Sequence, residues 1–251
     1  MPYGLYISAE GAKAQSKRLE VLANNLANVN TVGFKPDVAT FQSRFAEAIQ
    51  EGTAMPGSRE LTDIGGGVKV NETITSFAPG RLQHTGAETD MAIIGNGFFQ
   101  VAGGNGEALL TRAGNFQVNR DGLLVTANGQ QPVLDAGGAP IELDLQTPWR
   151  LTNAGEIEQD GSLIPLAIVQ PTSLDQLTKV GANLFRSRGG ATPIEPANRE
   201  VRSGYLEMSG ANSTTEMMSL IETSRAFEAN AKMIQTQDGM MSSLIGRVLR
   251  T

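Results

Sequence analysis

Ala23-Asn24-Asn25-Leu26-Ala27-Asn28-Val29-Asn30-Thr31-Val32-Gly33-Phe34-Lys35 is the stretch on which the reading of the fold turns. Four asparagines fall within seven positions, and their amides compete with a helical backbone for its own hydrogen bonds. Asn24 and Asn28 are one turn apart, so they can ladder along one face with Asn25 on the flank. Gly33 is placed for a left-handed C-cap, with Phe34 available for the apolar contact that accompanies it. A cap accounts for Gly33 and Phe34. It does not account for four asparagines.

Upstream of this stretch the apolar pattern is heptad. Leu5, Ala12, Leu19 and Leu26 fall seven apart, and Ser8, Gln15, Leu22 and Val29 follow three residues along. The other end of the chain repeats the pattern with Leu220, Phe227, Ile234, Met241 and Val248. A period of 3.5 is the seam of helices that pack as a coiled coil, although a lone amphipathic helix on a core reads the same way. Proline is absent from 3 to 35 and from 197 to 251, while residues 41–215 hold 24 of the 29 glycines. Both residues punctuate regular structure, so long helices belong at the ends and turns in the middle. Charge divides in the same way: +1 over residues 1–40, 0 over 216–251 and −7 between them.

The middle reads as β. Met91-Ala92-Ile93-Ile94, Phe98-Phe99-Gln100-Val101, Phe116-Gln117-Val118 and Leu123-Leu124-Val125-Thr126 are short strand runs. Asn105-Gly106, Asp121-Gly122, Asn128-Gly129 and Asp160-Gly161 are tight-turn dipeptides among them. The expected class is α+β, in which N- and C-terminal helices form a discontinuous coiled-coil layer around an inserted, irregular, mostly antiparallel β domain. The expected divisions are an axial helix and Asn-rich turn over 1–40, an extended connection or hairpin over 41–75, a β domain over 76–186, a return connection over 187–210 and a second axial helix over 211–251.

Composition narrows the function. The chain has 251 residues, a net charge of −6 and a sequence pI near 5.0, a poor match for nucleic acid or an anionic membrane surface. No run approaches the length of a membrane span, and the first residues carry no signal-peptide pattern. With no cysteine, disulfides, thiolate metal sites and cysteine nucleophiles are all absent. The single histidine, His84, stands in Leu82-Gln83-His84-Thr85-Gly86 with no G-x-S-x-G elsewhere, and reads as a loop residue. Gly65-Gly66-Gly67 and Gly95-Asn96-Gly97 complete no phosphate-binding pattern. The acids show no calcium-loop spacing. Glu142 with Asp144, or Glu156 with Glu158, could act as an acid–base pair, but alternation along a solvated strand accounts for them more simply. Five of the nine methionines fall in the last segment (Met217, Met218, Met233, Met240, Met241), which suits a helix face that adapts to varied neighbours.

The Asn-rich stretch resembles the N-terminal hallmark of bacterial flagellar rod and hook proteins. Two further stretches agree in order. Asp90 through Val101 with Thr111-Arg112-Ala113-Gly114-Asn115-Phe116 is similar to the central β domain of that family, and Gly204 through Ser209 with Met217 through Asn230 is similar to its C-terminal helix entry. The resemblance implies a structural, non-enzymatic subunit without cofactor or metal. Such subunits stack helically into the rod, the drive shaft between motor and hook, with helices lining the export channel. The implied partners are copies of itself, neighbouring rod and hook proteins and the flagellar type III export apparatus; nucleic acid and membrane insertion are not implied. The implied location is the basal body, in the periplasmic space, reached without a cleaved signal.

Within the family, Tyr6 in Gly4-Leu5-Tyr6-Ile7-Ser8-Ala9 points to the proximal rod, since the distal type usually carries Trp there. The long 46–70 connection points to the distal type. The opening carries more weight. The assembly residues carried over are Leu5, Ala12, Leu19, Asn24, Asn25, Leu26, Asn28, Leu220, Phe227, Ile234 and Met241, with Gly33 and Phe34 as cap and turn. Phe41-Gln42-Ser43-Arg44-Phe45 is similar to the segment offered to the export gate, with Phe41 and Phe45 as its aromatic ends; one face of a short helix accounts for it equally well. Two other function classes stand beside the structural one: a peptidoglycan-cutting hydrolase using Glu156 and Glu158, and an adaptor that folds on one partner.

Overall fold

The computed structural model of the protein describes residues 3–43, 67–104 and 106–248. The chain divides into two compact units, one from residues 1–27, 37–75 and 212–251, the other from residues 28–36 and 76–211.

The first unit is built on the two proline-free ends. Helix α1 (Tyr3–Ala27) and helix α2 (Ser213–Val248) are 25 and 36 residues long. Asn212 caps α2, its Oδ1 accepting from the Thr214 and Thr215 amides at 3.0 and 3.3 Å. Glu216 in the first turn and Arg247 in the last suit the helix dipole. Gly4 lies against Gln237 and Gly11 against Asn230, so the two helices run antiparallel. Strands β1 (Asp37–Ser43) and β2 (Val68–Thr75) pair antiparallel from Asp37↔Thr75 to Ser43↔Val68, with a bulge between Ala39 and Phe41, and both contact α1.

The second unit holds the remaining strands, and every pairing in it is antiparallel. They run in chain order β3 (Leu82–His84), β4 (Met91–Ile94), β5 (Phe98–Ala102), β6 (Ala108–Thr111), β7 (Phe116–Val118) and β8 (Leu124–Thr126). Then follow β9 (Trp149–Leu151), β10 (Glu156–Gln159), β11 (Ser162–Pro165), β12 (Ile168–Pro171), β13 (Leu177–Gly181) and β14 (Leu184–Ser187). The last are β15 (Ala191–Pro193), β16 (Glu200–Ser203) and β17 (Tyr205–Glu207). The main sheet has six strands in the order β13-β14-β6-β5-β12-β15, beside a three-stranded sheet β11-β10-β9 and the pairs β16-β4, β17-β3 and β7-β8.

Alternation on β5 explains the packing. Consecutive residues of a strand face opposite ways, and Phe98 and Phe99 enter different cores. Phe99 meets Phe116 at 5.1 Å in a cluster with Met91, Leu124, Ile157 and Val201. Phe98 meets Phe77 and Phe185 at 5.9 and 6.1 Å on the other side, with Leu110 and Val169. Both faces of the sheet are therefore covered. The Asp160-Gly161 turn falls where the sequence places it: Asp160 (φ 49°) and Gly161 (φ 74°) turn β10 into β11 with both central residues left-handed.

The protein therefore has the α+β class, with a helix near each end of the chain and the strands of the β domain between them in sequence. One local reading changes. Helix α1 ends at Ala27, and Gly33 (φ 66°) stands six residues beyond it, so the left-handed glycine closes a separate turn rather than capping the helix. The asparagine-rich residues that follow Ala27 stop the helix early by offering the backbone local alternatives: the Thr31 hydroxyl donates to Asn28 Oδ1 and the Thr31 amide to the Asn28 carbonyl.

Candidate assembly site

The first unit places the expected assembly residues on two helices. In α1 the deeply buried positions are Ser8, Ala14, Val21 and Asn25. Leu5, Ala12, Leu19 and Leu26 are only half-buried, on the flank of that face. In α2 Leu220 and Ile234 are half-buried, and Phe227 and Met241 are 36% and 39% exposed. From Asp238 to Arg247 every residue of α2 is exposed, Leu244 and Ile245 included.

The asparagines separate by role. Asn25 is buried, and its side chain grips the backbone of Asp37: Nδ2 donates to the Asp37 carbonyl at 2.8 Å, and Oδ1 accepts from the Asp37 amide at 3.0 Å. Only a terminal amide offers a donor and an acceptor to one residue in this way. The start of β1 is thereby fixed to α1, and the Thr75 hydroxyl, donating to the Asp37 carboxylate at 2.7 Å, ties in β2. Asn24 is exposed and Asn28 half-buried. Phe41 lies on β1, exposed; Phe45 lies outside the described residues.

In the second unit the turn over residues 28–36 is seated on an ionic clamp that the sequence did not single out. Glu207, at the end of β17, is buried between two cations. Lys35 Nζ donates to Oε1 at 2.6 Å and Arg112 Nη1 to Oε2 at 3.3 Å, with all three side chains at or below 7% exposure. The Gly80 amide also donates to Oε1, at 2.9 Å, and is the third donor to the carboxylate. Two buried cations face one anion, and carbonyls take up the surplus: Ala78 accepts from Lys35 at 2.9 Å, and Gly95 and Ile93 from Arg112 at 2.6 and 3.4 Å. The Arg112 guanidinium also lies 5.0 Å from the centre of the Phe98 ring. Burial lowers the Lys35 and Arg112 pKa values, because desolvation of each cation outweighs the attraction of Glu207.

Backbone bonds hold the same turn in place. The Gly33 amide donates to the Glu207 carbonyl at 2.7 Å, and the Gly210 amide to the Phe34 carbonyl at 3.0 Å. Asn183 Nδ2 donates to the Val32 carbonyl and Lys179 Nζ to the Lys35 carbonyl, the latter ammonium 4.9 Å from the centre of the Phe34 ring. At Gly33 a Cβ would stand 2.4 Å from the Ala113 nitrogen, so both its φ and the space require glycine. The sequence signal for the clamp was available: Arg112 and Glu207 are charges set within runs of apolar and small residues, a pattern that demands buried partners.

The pairs considered for chemistry form no such arrangement. Glu156 and Glu158 share the outward face of β10, away from the buried Ile157 and Gln159, with Glu158 exposed and Glu156 beside Arg199. His84 is exposed against Tyr205, 4.8 Å between ring centres. Among the described residues there is no cluster of three potential metal ligands, and no helix is long and apolar enough to cross a membrane.

These pieces are two long terminal helices, the second with large apolar side chains left exposed, and a β unit that holds the turn over residues 28–36. Three family profiles match in order: "Flagella basal body rod protein" over residues 5–35, "Flagellar hook protein FlgE/F/G D1 domain" over 92–165 and "Flagellar basal body rod FlgEFG protein C-terminal" over 202–247. The chain is 34% identical to the flagellar basal-body rod protein FlgG of Bacillus subtilis, covering 96% of this chain and 97% of that protein. It is 35% identical to FlgG of Agrobacterium fabrum, with 95% and 96% covered. It is 32% identical to the rod protein FlgF of Caulobacter vibrioides, with 99% and 98% covered over 253 aligned residues. The chain belongs to the flagellar basal-body rod protein family, whose members are structural proteins of the flagellar basal body and not enzymes.

Proposed function

We propose that this rod subunit builds its filament through α1 and α2, which form the inner coiled-coil layer lining the export channel. One observation carries the reading: α2 alone leaves nine large apolar side chains exposed, among them Met217, Ile221, Met233, Met240, Leu244 and Ile245. A helix with this much apolar surface needs another partner to cover it. Copies related by a repeated, non-closing contact would supply that cover and generate a helical stack that transmits motor torque to the hook. Leu5, Ala12, Leu19, Leu26, Leu220, Phe227, Ile234 and Met241 would pack between copies, and Asn24 and Asn28 would add polar contacts.

In this reading the subunit occupies the proximal rod, on the strength of Tyr6 and the residues around it. It crosses the inner membrane unfolded through the flagellar type III apparatus, presenting the segment around Phe41. Its neighbours are other rod and hook proteins in the periplasmic space. The test is complementation of a strain lacking the gene with Leu19→Asp/Leu26→Asp. The expected result is export of a variant that no longer enters the rod, scored in isolated basal bodies and by loss of motility. Normal rods containing the double variant would overturn the assembly role of these rows. Replacing Phe41 by Ser is expected to cut export at least severalfold; unchanged export would remove the gate assignment.

A further inference from the structure

The centre of the α1–α2 seam is polar, and its polar residues have a heptad period of their own. In α1 the row is Gly4, Gly11, Arg18 and Asn25; in α2 it is Glu216, Thr223, Asn230 and Gln237. A Cβ added at Gly4 would stand 3.0 Å from Gln237 Nε2, and one at Gly11 would stand 3.3 Å from both the Nδ2 and the Oδ1 of Asn230. The two pairs share one sum of residue numbers, 241, and that register sets Arg18 level with Thr223 and Asn25 level with Glu216. Thr223 is buried in this row, while Asn25 is buried with its side chain on the Asp37 backbone. Burying amides between helices is costly, and Gln15 Oε1, Gln237 Oε1 and Glu216 Oε2 are buried with no hydrogen-bond partner among the described residues. The apolar rows that would have made a more stable seam lie on its flanks.

We infer that the glycine–amide pairs Gly4/Gln237 and Gly11/Asn230 set the axial register of the antiparallel helix pair within one chain. The amides act as knobs, and the glycines are the only residues of the α1 row without a Cβ to meet them. Both rows repeat every seven residues, so a slip by one heptad is the competing alignment. A slip one way seats Gln237 on Gly11 but sets Asn230 against Arg18 and Leu244 against Gly4. A slip the other way seats Asn230 on Gly4 and Thr223 on Gly11, leaving Gln237 past the first described turn of α1. One alignment alone seats both amides on both glycines. Polar side chains inside an otherwise apolar helix pair are a known means of specifying register at a cost in stability. Each heptad of slip would move α2 by about 10.5 Å along α1 and change the length of α2 left uncovered beyond Asp238. A fixed register therefore gives every copy the same uncovered face. The inference concerns one chain and is tested on it alone, so failure of the rod reading would leave it standing.

The chain has no cysteine, so spin labels can be placed on the exposed positions Lys17 and Lys232 in the full-length protein. Pulsed electron–electron distance measurement is expected to give one narrow distribution for the otherwise natural sequence. Asn230→Leu/Gln237→Leu is expected to add a second population displaced by a heptad, with helix content unchanged by circular dichroism. The swap Asn230→Gln/Gln237→Asn keeps an amide over each glycine and is expected to retain the single distance. A leucine variant that keeps the single distance, or a swap variant that gains the second, would overturn the inference. Should the leucine variant give no defined distance at all, the swap variant decides by the same criterion.

Discussion

At the scale of single residues the decisive group is the Glu207 carboxylate. With two cations buried against it, Glu207→Gln removes the anion and leaves Lys35 and Arg112 facing each other in a site closed to water. The expected loss is about 3–5 kcal/mol in urea unfolding of the β unit. A loss below about 1 kcal/mol would mean that the carbonyls of Ala78, Gly95 and Ile93 hold the cations unaided. Lys35 supplies a pH signature. Its pKa is lowered in the folded protein, so between that lowered value and 10.5 the unfolded chain binds more protons, and stability rises with pH. The contribution is present above 10.5 and lost as pH falls through the folded-state pKa. In Lys35→Met this rise should be absent, so the difference in stability between the two proteins should grow in favour of the natural one from neutral to alkaline pH. A difference flat with pH would refute the assignment. Gly33→Val should cost about 1–3 kcal/mol from backbone conformation alone, with the close Ala113 nitrogen adding to it.

At the scale of elements the ties between α1 and the β1–β2 ribbon depend on one side chain. Asn25→Leu leaves the Asp37 amide and carbonyl without their partner, at a cost of about 1–3 kcal/mol for each group that stays buried. Hydrogen exchange should show faster exchange across β1 and β2, with β5 and β6 unchanged. Protection of β1 equal to that in the natural protein would show that the ribbon is held by its own ladder. The helices themselves are long because nothing interrupts them. α1 stops at Ala27, before any proline, because asparagine and threonine side chains beyond it bond locally.

For the whole molecule the division into two units makes a separable prediction. Trp149, the one tryptophan, packs against the main core of the β unit, so its fluorescence reports that unit, while far-ultraviolet circular dichroism is dominated by the helices. Glu207→Gln should lower the fluorescence midpoint by roughly 10 °C, given about 2–4 °C per kcal/mol for a unit of this size, and move the helical signal less. Leu19→Asp/Leu26→Asp should do the reverse. Equal shifts of both signals in both variants would mean that the units unfold as one.

Periodicity and punctuation determined much of this protein without tertiary information. Heptad rows free of proline marked the two helices, and β-branched and aromatic runs between Asp-Gly and Asn-Gly turns marked β4, β5, β7, β8 and the β10–β11 hairpin, because these signals act within a few residues of chain. The Asn-rich stretch, with the motifs around Phe98 and Met217, carried the family. Three things were decided only by the folded chain. Asn25 rather than Asn24 or Asn28 became the buried anchor, since which asparagine faces β1 depends on the rotation of α1 against it. The heptad rows 5/12/19/26 came to lie beside the seam, not in its centre, because glycines and amides met there. Lys35, Arg112 and Glu207 converged from positions as much as 172 residues apart. A charge in a sequence reveals that it will need a partner if buried, but not which one, because long-range pairing is fixed only when strands and turns close around it.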